Sequence, residues 1–394
     1  MCGIVGYVGP KSVVPILING LKKLEYRGYD SAGIAVNCKD GLIIKKTKGR
    51  LSALEAIIGD NVPSGCCGIG HTRWATHGEP SDINSHPHTS NAGDFAVVHN
   101  GIIENYLKLK QWLIKEGNTF VSETDTEVVV HLINHFYKGD LLKAVIEAAE
   151  RLEGSFALGV VSKHHPDTII AVRKDSPLIV GLGKGEFFIA SDIPAILEHT
   201  REVYLLDDRE IAVITRDSVK TYDAYGHETK KEVFHVNWDV KAAEKGGYEH
   251  FMLKEIHEEP KVLADTIKSR VSKATQSIDL SEVKLDKEAI AKIKRIVIVA
   301  CGTAYHAGMV GKYQIEKFAR IPVVVDIASE FRYRQPILFP DDLFIVISQS
   351  GETADTIAAM KEAKAQGCKV LAIANVVGST VAREADYVFY TWAG

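Results

Sequence analysis

The chain has 394 residues, of which 46% are hydrophobic and 25% are charged, and its formal net charge is -4. This length predicts two or three domains, the weak acidity provides no electrostatic footprint for nucleic acid or an anionic membrane, and the longest apolar runs are too short to span a bilayer. The six cysteines make no disulfide framework in a chain of this size, and no signal peptide is expected. We therefore predict a reduced, cytoplasmic protein.

The N-terminal residues 1–9, MCGIVGYVG, place a cysteine directly after the initiator methionine. Removal of Met1 would leave Cys2 with a thiol and a free α-amine on one residue. The thiol titrates at about 8.5 and the amine at about 7.7–8.0, so the amine can take the thiol proton and return it to a leaving group. Cys2 is therefore a candidate nucleophile that carries its own base. The alternative is a small apolar cysteine that only packs, ahead of a strand predicted at residues 4–8.

A helix and a polar turn follow this strand. Residues 12–24 carry apolar side chains on one helical face, which predicts an amphipathic helix packed on a sheet. Residues 27–31, RGYDS, are typical of a turn before a strand that begins at Ala32. The turn is either a simple connection or, through Arg27 and Asp30, an anchor for a charged substrate.

A second polar segment covers residues 71–80, HTRWATHGEP, and Gly78 and Pro80 predict that it forms a loop. Arg73 offers a planar fork that can hold a carboxylate through two hydrogen bonds. Trp74 can close over a pocket as a lid. The alternative is a surface loop with one aromatic side chain turned inward.

Histidines are frequent in this half of the chain, as in the pairs His86 with His88 and His131 with His135. The second pair has the i, i+4 spacing of two ligands on one helix face. The sequence has no HExxH motif, and no cysteine or carboxylate stands at ligand spacing beside these histidines. We therefore predict neither a metal ion nor another cofactor.

Residues 95–99 predict a strand that ends in Asn100-Gly101. A glycine at a strand end lets the backbone approach a ligand, and the Asn100 amide and the Gly101 N–H could both donate to a developing oxyanion. For an isolated Asn-Gly pair, the alternative of a tight turn is the better explanation.

Residues 122–127, SETDTE, precede an apolar helical run. Thr124 and Glu127 fit a capping box at the start of that helix. Asp125 is left either to meet an amino group or to favour the helix dipole. Short strands then dominate up to residue 214, which predicts sheets with helices outside them, an α+β domain.

Five segments of the first half resemble, in the same order, the class II glutamine amidotransferase domain. They are residues 2–6, 27–31, 71–80, 99–101 and 122–127. The resemblance implies an N-terminal-nucleophile fold, with two stacked sheets between helix layers (αββα). It also implies that Cys2 attacks the glutamine amide after loss of Met1, with its own α-amine as the base.

The same resemblance implies the remaining roles. Asn100 and Gly101 form the oxyanion hole, and the ammonia released is passed to a second site. Residues implied to hold glutamine are Arg73 for the α-carboxylate, Asp125 for the α-amino group, Thr76 and His77 along the same site, and Trp74 in a loop that closes over the substrate.

The second half begins with a charged segment, residues 241–259, which Gly246 and Gly247 interrupt. It predicts a domain boundary, with a helix from Pro260 to about residue 273. Strands and helices then alternate, which predicts a parallel, doubly wound α/β sheet. The predicted strands are residues 295–300, 323–325, 343–347 and 370–374, and the predicted helices are residues 305–319 and 354–366.

The third of these strands ends in residues 348–353, SQSGET. Such a turn before a helix can bind phosphate, because free backbone N–H groups and the helix dipole point at the anion. The alternative is N-capping of the helix, but capping needs one hydroxyl and Ser348, Ser350 and Thr353 supply three. The turn is neither a Walker A loop nor a GxGxxG motif, so a sugar phosphate is a better candidate than a nucleotide.

This half resembles the first of the two sugar-isomerase (SIS) domains in the glutamine–fructose-6-phosphate aminotransferase family, through residues 301–303, 329–330 and 348–353. With the first half, the resemblance covers the whole chain and implies that glutamine supplies ammonia to convert fructose 6-phosphate to glucosamine 6-phosphate. The residues implied at the sugar phosphate are Ser348, Gln349, Ser350 and Thr353, with Cys301, Gly302 and Thr303 nearby. It also implies small-molecule substrates, neither nucleic acid nor membrane as partner, and a homodimer of the full-length form.

These matches predict a glutaminase domain at residues 2–240, a linker with a helix at 241–286 and a first SIS domain at 287–394. We expect the second SIS domain to be absent, so that the chain hydrolyses glutamine and binds sugar phosphate without completing the synthesis. Two other functions stay open. One is another class II amidotransferase, although a phosphoribosyl-pyrophosphate loop and an SGGxDS signature are missing. The other is a non-catalytic sugar-phosphate sensor, in which Cys2 and Arg73 would have no purpose.

Overall fold

The computed structural model describes residues 2–25, 28–75, 77–236, 247–268, 270–272 and 277–393. The chain divides into two compact units, Met1–Val240 and Lys241–Gly394. Each unit has hydrophobic clusters of its own.

In its described residues, the first unit is built from two antiparallel sheets, five α-helices and a short 3-10 helix at Ile193–Ala195. The strands are β1 (Gly3–Val8), β2 (Ser31–Cys38), β3 (Gly41–Lys48), β4 (Cys67–Arg73), β5 (His88–Thr89), β6 (Phe95–Ile103), β7 (Gly154–Ser162), β8 (His165–Lys174), β9 (Ile179–Leu182), β10 (Phe187–Ala190), β11 (Glu202–Leu205), β12 (Glu210–Thr215), β13 (Val219–Tyr222), β14 (Glu228–Thr229) and β15 (Phe234–His235). The helices are α1 (Val13–Leu24), α2 (Leu51–Ile58), α3 (Tyr106–Lys115), α4 (Glu127–Phe136) and α5 (Leu141–Glu150).

The two sheets lie face to face between two helix layers. One sheet has the order β15-β11-β9-β10-β1-β4-β2-β3 and the other β14-β13-β12-β8-β7-β6-β5. One cluster joins α1 and α2 to the first sheet, a second fills the space between the sheets, and a third joins α3, α4 and α5 to the second sheet. The predicted αββα arrangement of an N-terminal-nucleophile fold is therefore confirmed.

Helix α1 shows why the outer layers form. Val13, Leu17, Leu21 and Leu24 recur at helical spacing and are fully buried. Each such side chain contributes about 1.5–3 kcal/mol when it leaves water. The stripe packs on β1, which lies inside the sheet between β4 and β10. The start of β1, next to Cys2, is thereby held in a rigid layer.

The second unit is a parallel five-stranded sheet with helices on both faces. Its helices are α6 (Phe251–Lys268), α7 (Lys287–Lys292), α8 (Gly302–Phe318), α9 (Ala328–Tyr333), α10 (Ala354–Ala365) and α11 (Thr380–Glu384). Two short strands, β16 (Val271–Ser272) and β17 (Ser277–Ile278), pair only with each other. The five strands of the sheet are β18 (Arg295–Ala300), β19 (Val323–Ile327), β20 (Asp342–Ser348), β21 (Lys369–Ala374) and β22 (Tyr387–Tyr390). Their order across the sheet is β19-β18-β20-β21-β22. All of its neighbouring strands run parallel, which confirms the doubly wound prediction.

Several boundaries predicted from the sequence were wrong. The helix expected to begin at Pro260 begins at Phe251 and contains this proline, and the second-unit helix expected from Tyr305 already begins at Gly302. Residues 71–73, expected in a loop, complete β4. The physical reason is that pairing with β1 and β2 satisfies their backbone hydrogen bonds. No helix in the described ranges is both long and apolar enough to cross a membrane.

Candidate active site

Three strand segments bring the candidate residues of the first unit together. Cys2 precedes β1, and the pairing of Gly3 with Thr72 places it beside the end of β4. The Trp74 N–H donates to the Cys2 Sγ over 3.2 Å, and the Cys2 S–H donates to the Trp74 carbonyl oxygen over 3.5 Å. From the facing sheet, the Asn100 Nδ2 donates to the Cys2 carbonyl oxygen over 3.0 Å.

The Cys2 thiol lies in a poorly solvated environment. Burial raises its pKa, and the hydrogen bond from the Trp74 backbone and the nearby Arg73 charge only partly oppose this effect. A buried thiol with a raised pKa stays protonated near neutrality. Nucleophilic attack by this thiol therefore requires a nearby base.

Asn100 and Gly101 lie within a strand, which corrects the expected strand end. Strand β6 continues to Ile103, and Gly101 pairs with Phe156. The φ angle of Gly101 is 126°, and a Cβ at this position would lie 2.0 Å from the Ser155 carbonyl oxygen. Glycine is therefore required for close strand contact here, and the tight-turn alternative is wrong.

Arg73 is buried, with only part of its hydrogen-bonding capacity used. Its Nη2 donates to the His77 carbonyl oxygen and, over 3.1 Å, to the Gly78 carbonyl oxygen. Its Nη1 is also buried and makes no hydrogen bond to the described residues. Burial lowers the pKa of the guanidinium, whereas the neighbouring Cys2 and Asp125 oppose that shift. An anion that accepted from Nη1 would satisfy this donor.

The segment after Arg73 is held by the neighbouring turn. The Asp30 Oδ2 accepts from the Ala75 N–H over 2.7 Å, so this contact fixes the backbone that follows Trp74. Trp74 is 45% exposed and meets Tyr29 edge to face, with 5.4 Å between ring centroids. His77 is half-buried. The predicted residues Thr76 and Arg27 lie outside the described residues.

Asp125 lies just before α4 and is buried. Its Oδ2 accepts from the Ile103 N–H over 2.7 Å, which ties the segment before α4 to β6. The sequence left Asp125 either to meet an amino group or to favour the helix dipole, and this hydrogen bond does not decide between the two. Its carboxylate can still accept hydrogen bonds through further lone pairs.

The predicted capping box was wrong. Helix α4 begins at Glu127, whose carboxylate accepts from the backbone N–H groups of Val121 and Ser122 and from the Ser122 hydroxyl. Thr124 instead contacts Ser122 and His88 through its hydroxyl. Burial raises the Glu127 pKa, but the nearby His131 ring and the hydrogen bonds from Ser122 and Val121 outweigh it and lower the pKa to about 2. Sequence reasoning missed Glu127 as the residue that orders the loop carrying Asp125.

A cluster of buried histidines lies behind Asn100. Its members are His71, His86, His88 and His99. The His71 and His86 rings stack with 4.2 Å between centroids, and His86 Nδ1 accepts from the His99 N–H over 3.2 Å. Burial is the main cause that lowers the pKa of each member, to about 3 for His71. In the described part of the chain, no group of three or more His, Cys, Asp or Glu side chains is arranged to hold a metal ion.

The second unit brings two predicted segments to one edge of its sheet. Ala300 of β18 pairs with Ile347 of β20, so residues 301–303 and 348–353 follow the carboxyl ends of neighbouring parallel strands. Ligands of doubly wound sheets bind at this edge. Cys301 is half-buried, whereas Gly302, Thr303 and Gln349 are exposed.

The turn at residues 348–353 is ordered by its own hydroxyls. Ser348 Oγ accepts from the Gly351 N–H over 3.0 Å and lies 3.3 Å from Thr353 Oγ1, and Ser350 Oγ accepts from the Glu352 N–H over 3.2 Å. Thr353 is the N-cap residue of α10 but makes no side-chain cap bond. Simple N-capping by Thr353 therefore does not account for the turn.

Two domain families match the chain. A glutamine amidotransferase domain matches residues 71–198, and a SIS domain matches residues 289–394. Over 394 residues, the chain is 62% identical to the glutamine–fructose-6-phosphate aminotransferase [isomerizing] of Clostridium tetani, 62% to that of Caldanaerobacter subterraneus and 52% to that of Aquifex aeolicus. Each match covers 100% of this chain and 65% of the relative. The chain thus spans slightly less than two thirds of the length of these relatives.

Two solved structures have a related fold. A glutamine phosphoribosylpyrophosphate amidotransferase from B. subtilis aligns with a TM-score of 0.52 and 17% identity, over 99% of this chain and 90% of that chain. An allosteric regulatory enzyme of purine biosynthesis aligns with a TM-score of 0.53 and 19% identity, over 99% of this chain and 80% of that chain. Identities this low show a shared fold alone.

Proposed function

We propose that the chain releases ammonia from glutamine for transfer to fructose 6-phosphate. The premise is that it contains a glutamine amidotransferase domain and a SIS domain, and that all 394 of its residues align with glutamine–fructose-6-phosphate aminotransferases. The observation that carries the proposal is the approach of Asn100 and Trp74 to Cys2 at the start of a buried strand. The products of the complete reaction are glucosamine 6-phosphate and glutamate.

In the proposed first half-reaction, Cys2 is the nucleophile and its own α-amine, freed by removal of Met1, is the base. The amine takes the thiol proton as the sulfur bonds to the glutamine δ-carbon, and returns it as the C–N bond breaks and ammonia leaves. Water then attacks the thioester, which releases glutamate and restores the thiol. The raised pKa of the Cys2 thiol supports the need for such a base.

Asn100 Nδ2 and the Gly101 N–H are the proposed donors to the oxyanion that forms on the glutamine amide oxygen. The buried Nη1 of Arg73 supports its assignment to the glutamine α-carboxylate. Asp125 is proposed to accept from the α-amino group, while Thr76 and His77 line the site. The exposure of Trp74 beside the Cys2 sulfur supports a loop that closes over bound glutamine.

For the second unit, we propose that Ser348, Gln349, Ser350 and Thr353 bind the phosphate of fructose 6-phosphate, with Cys301, Gly302 and Thr303 beside them. Hydroxyl groups just before α10 support this assignment, because Ser348 Oγ and Ser350 Oγ accept from backbone N–H groups of the turn and can direct their own hydrogens at an anion. The proposed domains are a glutaminase at residues 2–240, a connecting segment at 241–286 and a SIS domain at 287–394.

The cellular setting is part of the same proposal. All six cysteines have free thiols, which supports a reducing, cytoplasmic location. A homodimer of the full-length form is proposed from the resemblance to the family alone.

A diazoketone analogue of glutamine, 6-diazo-5-oxo-L-norleucine, tests the glutaminase site directly. We expect one adduct, mapped by peptide mass spectrometry to an N-terminal Cys2, and protection by excess glutamine. A Cys2→Ala variant should take up no reagent. Labelling at another cysteine, or labelling that glutamine does not slow, would argue for a protein without a glutaminase site.

A further inference from the structure

The carboxamide of Asn100 has two orientations related by a half-turn, and only one of them suits an oxyanion donor. In the structure, Nδ2 points to the Cys2 side, where it donates to the Cys2 carbonyl oxygen over 3.0 Å. The flipped amide would direct the acceptor Oδ1 to the same place and would repel a developing negative charge. A donor in this position therefore needs a partner that fixes its orientation.

His71 provides such a partner on the opposite side of the amide. Its Nε2 lies 3.0 Å from Asn100 Oδ1 and 3.0 Å from the His99 carbonyl oxygen. Both of these atoms are acceptors, so Nε2 has to carry the proton. A flipped Asn100 amide would place its NH₂ group against this N–H and would lose the hydrogen bond.

The surroundings of His71 hold the ring in place. His71 is fully buried at the end of β4, on the strand that also carries Arg73. Its ring stacks on His86, and its Nδ1 makes no hydrogen bond in the described part of the chain. Nε2 is therefore the ring atom through which His71 acts on its neighbours.

We propose that His71 is a positioning residue for the oxyanion hole, because its Nε2–H holds the Asn100 carboxamide with Nδ2 directed toward Cys2. This inference rests on the proposed glutaminase function. His71 acts through Asn100, and it neither gives a proton to the substrate nor takes one from it. Burial lowers its pKa to about 3, so the ring remains a neutral donor over the working range of the enzyme.

The tautomer of His71 tests the proposal without any need for turnover. In the full chain labelled with ¹⁵N-histidine, the His71 signals are assigned by their loss in a His71→Gln variant. We expect a neutral Nε2–H tautomer that is constant from pH 5.5 to 8.5, as the low pKa requires. A neutral Nδ1–H tautomer, or titration near pH 6.5, would overturn the proposal. This result stands even if the wild-type chain releases no glutamate, in which case only the proposed function fails.

Kinetics of glutamine hydrolysis supply the second arm. His71→Leu removes the donor that orients Asn100 and should lower kcat about 10-fold or more. KM should not change, because the oxyanion that Asn100 stabilises forms only in the transition state. His71→Gln, whose Nε2 can reach the same acceptors, should recover most of this loss. Alkylation of Cys2 by iodoacetamide, which forms no oxyanion, should proceed at the wild-type rate in both variants.

The matched control is His199→Leu, which replaces a half-buried histidine of the same unit whose ring stacks on Phe188, away from the site. It should leave kcat close to the wild-type value. An equal loss of kcat in His199→Leu, or a His71→Leu variant that raises KM with kcat intact, would reduce His71 to a packing residue. If His71→Leu does not fold, the comparison of His71→Gln with wild type and the tautomer measurement decide.

Discussion

The Asn100 Nδ2 and the carbonyl oxygen of Cys2 lie 3.0 Å apart, across the interface between the two sheets of the first unit. This contact links the residue at the start of β1 to the middle of β6. Cys2, the proposed nucleophile, directly precedes β1, and Asn100, the proposed oxyanion donor, lies in β6. Most residues of both strands are buried. Such a site is positioned by the scaffold and not by a flexible loop.

The first prediction concerns the oxyanion donor. Asn100→Ala removes the side-chain donor and should lower kcat for glutamine hydrolysis by about 10²–10³-fold, with little change in KM. Steady-state glutamate release measures both parameters. Asn91→Ala, which removes an exposed hydrogen bond to Thr119, is the control and should match wild type. A kcat that is unchanged in Asn100→Ala would remove Asn100 from the mechanism.

The second prediction concerns the α-carboxylate. Arg73→Lys should reduce kcat/KM for glutamine by about 10- to 100-fold, because a charge-assisted hydrogen bond of about 1.5–3 kcal/mol is lost. The analogue 4-aminobutanamide, which lacks this carboxylate, should be a poor substrate for wild type. It should lose little further activity in Arg73→Lys, since the interacting group is already missing. Equal losses for both substrates would show that Arg73 acts only on the structure of the loop.

The third prediction concerns pH and the histidine cluster. The pKa of His71 is about 3 in the folded chain, against about 6.5 for an unfolded histidine. Between these pH values the unfolded chain binds more protons than the folded chain. The contribution of His71 to the free energy of unfolding is therefore full above pH 6.5 and falls as pH is lowered toward 3. We expect faster amide hydrogen exchange in β4 and β6 at pH 5 than at pH 7, after correction for intrinsic rates. Replacing the exposed His227 by Gln should not alter this difference, and equal protection at both pH values would contradict it.

The fourth prediction concerns the turn of the second unit. Ser350→Ala with Thr353→Val removes two proposed hydroxyl donors and should weaken fructose 6-phosphate binding by about 10-fold or more, at about 0.5–1.5 kcal/mol for each hydrogen bond and more for a charged partner. Isothermal titration calorimetry measures the affinity. Thr356→Val, which replaces a buried threonine of α10, is the isosteric control. Unchanged affinity in the double variant would rule out phosphate binding by this turn.

Local periodicity predicted an α+β first unit and a doubly wound second unit, whereas the αββα layering of the first unit was implied by the resemblance to the class II glutamine amidotransferase domain. The 3.6-residue pattern of α1 and the continuous apolar run of β18 each identify an element that is buried in a defined way. The five motifs also placed Cys2, Arg73 and Asn100 in one site. In the structure, strand pairing and cross-sheet contacts bring these residues together.

Features that depend on distant partners were not predictable in the same way. Gly78 and Pro80 suggested a loop from residue 71, but pairing with β1 and β2 extends β4 through Arg73. The loop interpretation concealed His71, although its spacing of two residues from Arg73 on a strand was the available signal. Glu127 looked like one half of a capping box, whereas its carboxylate accepts hydrogen bonds from Val121 and Ser122.

Glutamate release from glutamine by this chain, beside a Cys2→Ala control and with the intact mass of each protein, tests the central claim most directly. We predict glutamate release by a wild-type chain whose mass lacks Met1. The activity should rise with pH as the α-amine of Cys2, with an ordinary pKa of about 7.7–8.0, loses its proton. The control should release none. Absence of release from a folded wild-type chain that lacks Met1, or equal release by Cys2→Ala, would contradict the account.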